Sequence, residues 1–202
     1  MMKFNSDSRI FQAITEITNF MALNLIFLMT CLPIITIAPA LSSLFYVTLR
    51  YADDKSGYLV KDYLLQLKVE FKNRLLFGLF YLFASLLLTF LVFFWFSMQT
   101  VIGTIFAVMS LCLLLILLVS FIICCALSGH YNNTLRQTIK NSFLLTIISP
   151  WHSIILLAIP AALISLGIIT SYFKVILILF GAAFSAYCSA FCLLSLFKKF
   201  EW

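Results

Sequence analysis

Charge is what this 202-residue sequence has least of: 10% of its residues are Asp, Glu, Lys or Arg, and 64% are hydrophobic. A soluble domain carries about a quarter charged residues, so too little polar surface is present to coat a globule in water. From Leu75 to Leu127 there is no Asp, Glu, Lys, Arg or His, and the same holds for Ser153–Phe173 and Val175–Phe197. Spans without ionisable side chains lack the groups that usually carry proton or sodium coupling, and equally those of intramembrane acid–base chemistry. Polar/apolar alternation is missing too, which excludes a membrane β-barrel. The six cysteines, Cys31, Cys112, Cys124, Cys125, Cys188 and Cys192, all fall in apolar runs without metal-ligand spacing to histidine. They read as packing residues, not as a disulfide framework or a metal site. The net charge of +6 sits in connecting segments, so it reports membrane orientation and predicts no nucleic-acid partner.

Long apolar runs are what the chain does have. Roughly 18 uncharged residues suffice to cross a ~30 Å hydrocarbon core, and in lipid the backbone must satisfy its own hydrogen bonds, which makes the runs helical. The expected fold is all-α: one polytopic transmembrane bundle over residues 1–202. Its five hydrophobic segments are about 17–49 (broken), 75–95, 101–127, 150–169 and 175–197. Pro33 and Pro39 break the first. A helix should end near Leu32, the chain should cross irregularly through Ile34–Ala38, and a second helix should begin near Pro39, since proline suits a first turn. Pro33 and Pro39 are therefore the candidate hinge. Ala38-Pro39-Ala40 resembles a cleavage site, but the acidic leader and Pro33 fit a signal peptide poorly.

Asp53-Asp54-Lys55-Ser56-Gly57 reads as a turn. Beyond it, an amphipathic segment is expected over 58–74, with Val60, Tyr63, Leu64, Leu67 and Phe71 on one face, flanked by Lys61, Lys68 and Lys72. That stripe is either a juxtamembrane anchor or a docking face for a partner. Ser128–Thr146 reads as a loop, and Ser149-Pro150 as a helix start; Pro160 should kink the helix that follows. Small residues make two candidate helix-packing ridges: Gly181, Ser185 and Ser189, and Ser120, Cys124 and Ser128. Packing within the monomer or self-association would use them. Asn24 is expected to make an interhelical hydrogen bond. Ser128 and His130 are too close in sequence to face each other as a catalytic pair. If the first block turns back, twelve of the thirteen basic residues lie on one side and Lys174 alone on the other; if it crosses once, the N-terminus moves outside and the split is ten to three. Both topologies put the C-terminus in the cytoplasm.

The run Asn24-Leu25 through Leu32-Pro33-Ile34-Ile35-Thr36-Ile37-Ala38-Pro39-Ala40, followed by Leu44-Phe45-Tyr46-Val47, resembles the opening of the YesL-like family of bacterial membrane proteins, domain of unknown function 624. Gly57-Tyr58, Lys61-Asp62-Tyr63 and Phe71-Lys72-Asn73 are similar to its next block, and Asn133-Thr134-Leu135 with Lys140-Asn141-Ser142 to a later one. Ala38 stands where the family commonly has glycine. The resemblance implies a multi-pass protein of the bacterial plasma membrane. Family members are often encoded beside carbohydrate import systems, which implies a non-enzymatic accessory to sugar uptake, without cofactor, whose partners are the bilayer and sugar-transporter components. A small passive transporter with the Pro33–Pro39 break lining a cavity is the alternative.

Overall fold

The computed structural model describes residues 9–54, 58–131 and 134–199. Among them there is no strand. The helices are α1 (Arg9–Thr30), α2 (Ile37–Asp54), α3 (Leu59–Lys68), α4 (Phe71–Ser97), α5 (Val101–His130), α6 (Leu135–Ile148), α7 (Pro150–Ile169), α8 (Ser171–Ile176) and α9 (Ala182–Lys199). A π-helical segment, Leu177–Gly181, joins α8 to α9. Among the described residues, five stretches are long and apolar enough to cross a membrane: Ile34–Asp54, Phe71–Ser97, Val101–His130, Pro150–Ile169 and Tyr172–Lys199.

The break in the first apolar block falls at Pro33, followed by a single 3-10 turn at Ile34–Thr36. Thr36 makes that turn tolerable in an apolar setting: its amide donates to Pro33 O, and its Oγ1 lies 2.6 Å from Thr30 O and 2.7 Å from Pro33 O. Two carbonyls at the break are thus met locally. Pro39 sits in the first turn of α2, where its missing N–H costs nothing. The chain reverses here. Phe20 and then Asn24 advance along α9 away from its C-terminal end, whereas α2 runs back to a Lys198–Asp53 ion pair of 3.8 Å.

α2 is the keystone of the bundle. Its start enters between α4 and α5 where two glycines clear the way. Ala38 lies directly on Gly78, and a Cβ added to Gly129 would stand 2.7 Å from Ser42 O and 3.1 Å from Tyr46 N. Ser43 is already level with Arg74 near the beginning of α4. The rest of α2 therefore passes the ends of α4 and α5 and packs on α3 and α9, with Tyr51 against Tyr187. Ser42, Ser43 and Thr48 bond back to carbonyls of their own helix, so their hydroxyls are satisfied while buried. Beyond Gly78, α4 continues to Ser97, about 28 Å at 1.5 Å per residue. Phe83, Leu86, Phe90 and Phe93 there point outward.

Because the Cβ of a residue at 129 would strike backbone rather than a flexible side chain, Gly129→Leu should force α2 out of its seat. Overpacking of this kind costs about 1–3 kcal/mol. Gly181→Ala should be milder, since the nearest atoms there belong to the Leu177 side chain. Thermal unfolding in detergent micelles orders the two variants; equal midpoints would refute the wedge.

Several sequence expectations change. Ser128–Thr146 is not a loop: α5 runs on to His130, and α6 begins at Leu135 and buries Thr138, Ser142, Leu145 and Thr146. The amphipathic segment 58–74 is not one helix. It breaks at Val69–Glu70, where Glu70 takes φ 50° and ψ 27°, and Phe71 opens the next helix. Asp53 and Asp54 belong to the last turn of α2, and 55–57 lie outside the described residues. Ser149 precedes α7 as expected, but its side chain makes no cap bond; Ser153 Oγ ties the α6–α7 corner instead, 3.0 Å from Thr146 O. α7 continues through Pro160.

The tight α4–α5 connection holds a second left-handed residue, Gln99, at φ 49°. An L side chain there costs roughly 1 kcal/mol, so Gln99→Gly should raise the unfolding midpoint slightly and Gln99→Val lower it. The opposite order would show that this turn is unstrained.

Candidate functional site

The polar interior gathers where α2, α3, α4 and α5 meet, and Arg74 is its centre. This side chain is 1% exposed. Its Nη1 donates to Gln66 O at 2.9 Å and to Ser43 Oγ at 3.3 Å, and its Nη2 donates to Ser128 O at 3.0 Å; Nε has no partner. Among the described residues no carboxylate bonds to it, though the nearby Glu70 favours its charge. The bonded acceptors are backbone and hydroxyl, and Gln66 O and Ser128 O belong to the last turns of α3 and α5. Helix C-termini present orphan carbonyls and about half a negative charge each. Two such ends facing one guanidinium make a buried cation supportable.

About two turns further along α4, three hydroxyls close a triangle. Tyr81 OH lies 2.7 Å from Ser120 Oγ and 3.0 Å from Ser142 Oγ, and the two serines are 3.1 Å apart. This joins α4, α5 and α6. Phe143 stacks on the Tyr81 ring at 6.0 Å and Phe121 tilts against it at 5.4 Å.

Asn24 makes the expected interhelical bond, in an unexpected form. Its Nδ2 donates to Ile178 O at 2.7 Å, and its Oδ1 accepts from Ala183 N at 2.8 Å. These two backbone groups are five residues apart, the pair an i→i−5 bond would join. The Asn24 amide is thus inserted into the π-helical ladder. Polar insertion is a recognised cause of such local rearrangement.

A half-open cavity of about 160 Å³ adjoins this region, walled by Ile34, Ile35, Ala38, Gly78, Leu117 and Phe121 among others. Its polar lining, Tyr81 and Ser85, is already bonded, Ser85 Oγ to Leu82 O.

The candidate docking face divides. Tyr63 is fully buried; its OH lies 2.5 Å from Thr30 Oγ1, and burial pushes its pKa up to about 12. Val60 and Leu67 also turn toward the core. Only Leu64 and Phe71 of that face are exposed, and Phe71 is on α4. The stripe is α3's seat on α1 and α2, because those helices offer the nearest apolar surface.

The two small-residue ridges also separate. Ser120 and Cys124 are buried in the α4–α5–α6 packing, and Ser128 contributes its carbonyl to Arg74. On the last helix Gly181 makes room for Leu177 of its own chain, Ser189 is buried, and Ser185 is partly exposed with its Oγ on Ala182 O. The fully packed line there is Ala183, Ala186, Ala190 and Leu193. His130 stacks on Phe197 at 5.7 Å. Among the described residues no three His, Cys, Asp or Glu side chains group as a metal site would require.

This fold and its packed polar interior define a multi-pass α-helical membrane protein. Residues 20–92, from mid-α1 into α4, match the family model described as "Protein of unknown function, DUF624", the family whose opening the proline motif resembles. The matched stretch takes in Asn24, both prolines, Arg74 and Tyr81. The similar block Asn133-Thr134-Leu135 lies beyond it, and Asn133 is outside the described residues. No curated protein and no solved structure matches the chain.

Proposed function

We propose that the protein is a non-enzymatic accessory of a carbohydrate uptake system in the bacterial plasma membrane, with its C-terminus in the cytoplasm. The observation that carries the non-enzymatic part is how the interior polar groups are used. Arg74, Asn24 and the Tyr81–Ser120–Ser142 triangle are engaged in holding helix to helix, which leaves them committed to architecture. The orientation follows from charge. The ends of α2 and α9 meet at the Lys198–Asp53 pair, and the uncharged run starts just past Arg74. Basic ends face the cytoplasm. The carbohydrate part rests on the gene company of the family resembled.

Purification of the tagged protein from native membranes tests the reading: a subunit of a sugar importer should accompany it. Recovery without any transporter component overturns the accessory role. The passive-transporter alternative draws on the cavity beside the Pro33–Pro39 break, but that cavity is walled mostly by Ile, Leu and Phe, and its polar side chains Tyr81 and Ser85 are already hydrogen-bonded, which leaves a sugar's hydroxyls few partners.

A further inference from the structure

The outward face of α3 carries a pattern that the inward packing does not use. Lys61, Leu64, Leu65 and Lys68 recur at helical spacing, opposite the buried Leu59 and Tyr63, and all four are exposed, Leu64 by 44% and Leu65 by 58%. Two cations thus bracket two leucines on one stripe. The ion pairs among the described residues are Arg50–Asp62 and Lys198–Asp53, so neither Lys61 nor Lys68 is neutralised. Asp62 is held by Arg50 at 3.3 Å, which removes the nearest acidic side chain on α3 from competition.

Position decides what such a stripe meets. α3 ends at Lys68, and Arg74 is the last charged residue before the uncharged run Leu75–Leu127. The C-terminal end of α3 therefore lies about two helical turns of sequence before that run, a place that suits headgroup depth. Tyr58, 78% exposed at the start of α3, suits the same layer.

We propose that this face of α3 binds anionic phospholipid: Lys61 and Lys68 engage headgroup phosphates while Leu64 and Leu65 enter the acyl boundary. Long lysine stems allow both at once. Since α3's other face is bonded to α1 through Tyr63–Thr30 and to α2 through Asp62–Arg50, lipid held there also steadies the break in the first block.

The test uses the full chain in neutral detergent, with the thermal midpoint followed as phosphatidylglycerol, phosphatidylcholine or inorganic phosphate is added. Phosphatidylglycerol should raise the midpoint, and the other two should not. Each juxtamembrane lysine contributes roughly 1 kcal/mol to anionic-surface attraction, so K61Q/K68Q should weaken the phosphatidylglycerol response about tenfold or more. Exposed Lys140→Gln should leave it unchanged. An equal rise with phosphatidylcholine, or a full response in K61Q/K68Q, overturns the proposal. If that variant keeps its lipid response but loses a co-purifying protein, the face belongs to a protein partner instead.

Discussion

Arg74→Ala should lower the unfolding midpoint of the detergent-solubilised protein more than any other single change considered, with a loss of about 3 kcal/mol or more. The guanidinium joins four helices through three acceptors: Ser43 Oγ on α2, Gln66 O at the end of α3 and Ser128 O at the end of α5, from its own place on α4. Hydrogen bonds to a charged group are worth about 1.5–3 kcal/mol each, and the acceptors would be left in a site closed to water. Both carbonyls would also lose the cation that offsets the helix-end charge. Arg74→Lys should recover part of the loss. An ammonium keeps the charge, but it lacks the planar fork that reaches separated acceptors. A midpoint for Arg74→Ala equal to wild type would sink the capping account.

The second large effect is expected for Asn24→Leu. The replacement has similar volume and suits lipid, so on hydropathy alone it should be neutral or favourable. It strips the partners from Ile178 O and Ala183 N, however, in a part of the bundle where Ala183 is wholly buried. Each abandoned backbone group costs about 1–3 kcal/mol, and in lipid water offers no substitute. Amide hydrogen exchange should accelerate at Ala183, with destabilisation of several kcal/mol. Protection at Ala183 matching wild type would mean that Asn24 does not hold the π segment.

These two side chains show how far the sequence can be read. Asn24 stood out because a carboxamide in an apolar run needs a partner, and a partner on another helix was a sound expectation. That the partner is backbone, and that the receiving helix widens into a π segment, has no signature in Leu177–Gly181. Arg74 did not stand out. As the last basic residue before an uncharged run it looks like one of many side chains that mark the cytoplasmic side. Its burial depends on α2 wedging between α4 and α5, and that depends on Gly78 and Gly129, which lie far from each other in sequence and from α2. Val60, Tyr63, Leu64 and Leu67 do share a helix, while Phe71 belongs to the next one; periodicity tells which residues share a face, but neither where the helix breaks nor which way the face turns. α6 was missed because its apolar content is modest and polar Thr138, Ser142 and Thr146 are among its buried positions.

Composition and periodicity by themselves determined that the chain is all-helical, that it lives in lipid, and that its first apolar block breaks at Pro33. Each follows from local rules: the length of uncharged runs, the self-sufficiency of helical hydrogen bonds, and proline's missing donor. Which polar groups are buried, which helix ends share Arg74, and which side of α3 remains outward were decided only by the tertiary structure. Those outcomes depend on close approach between segments distant in the chain, where a methylene more or less at a glycine determines whether the helices can meet.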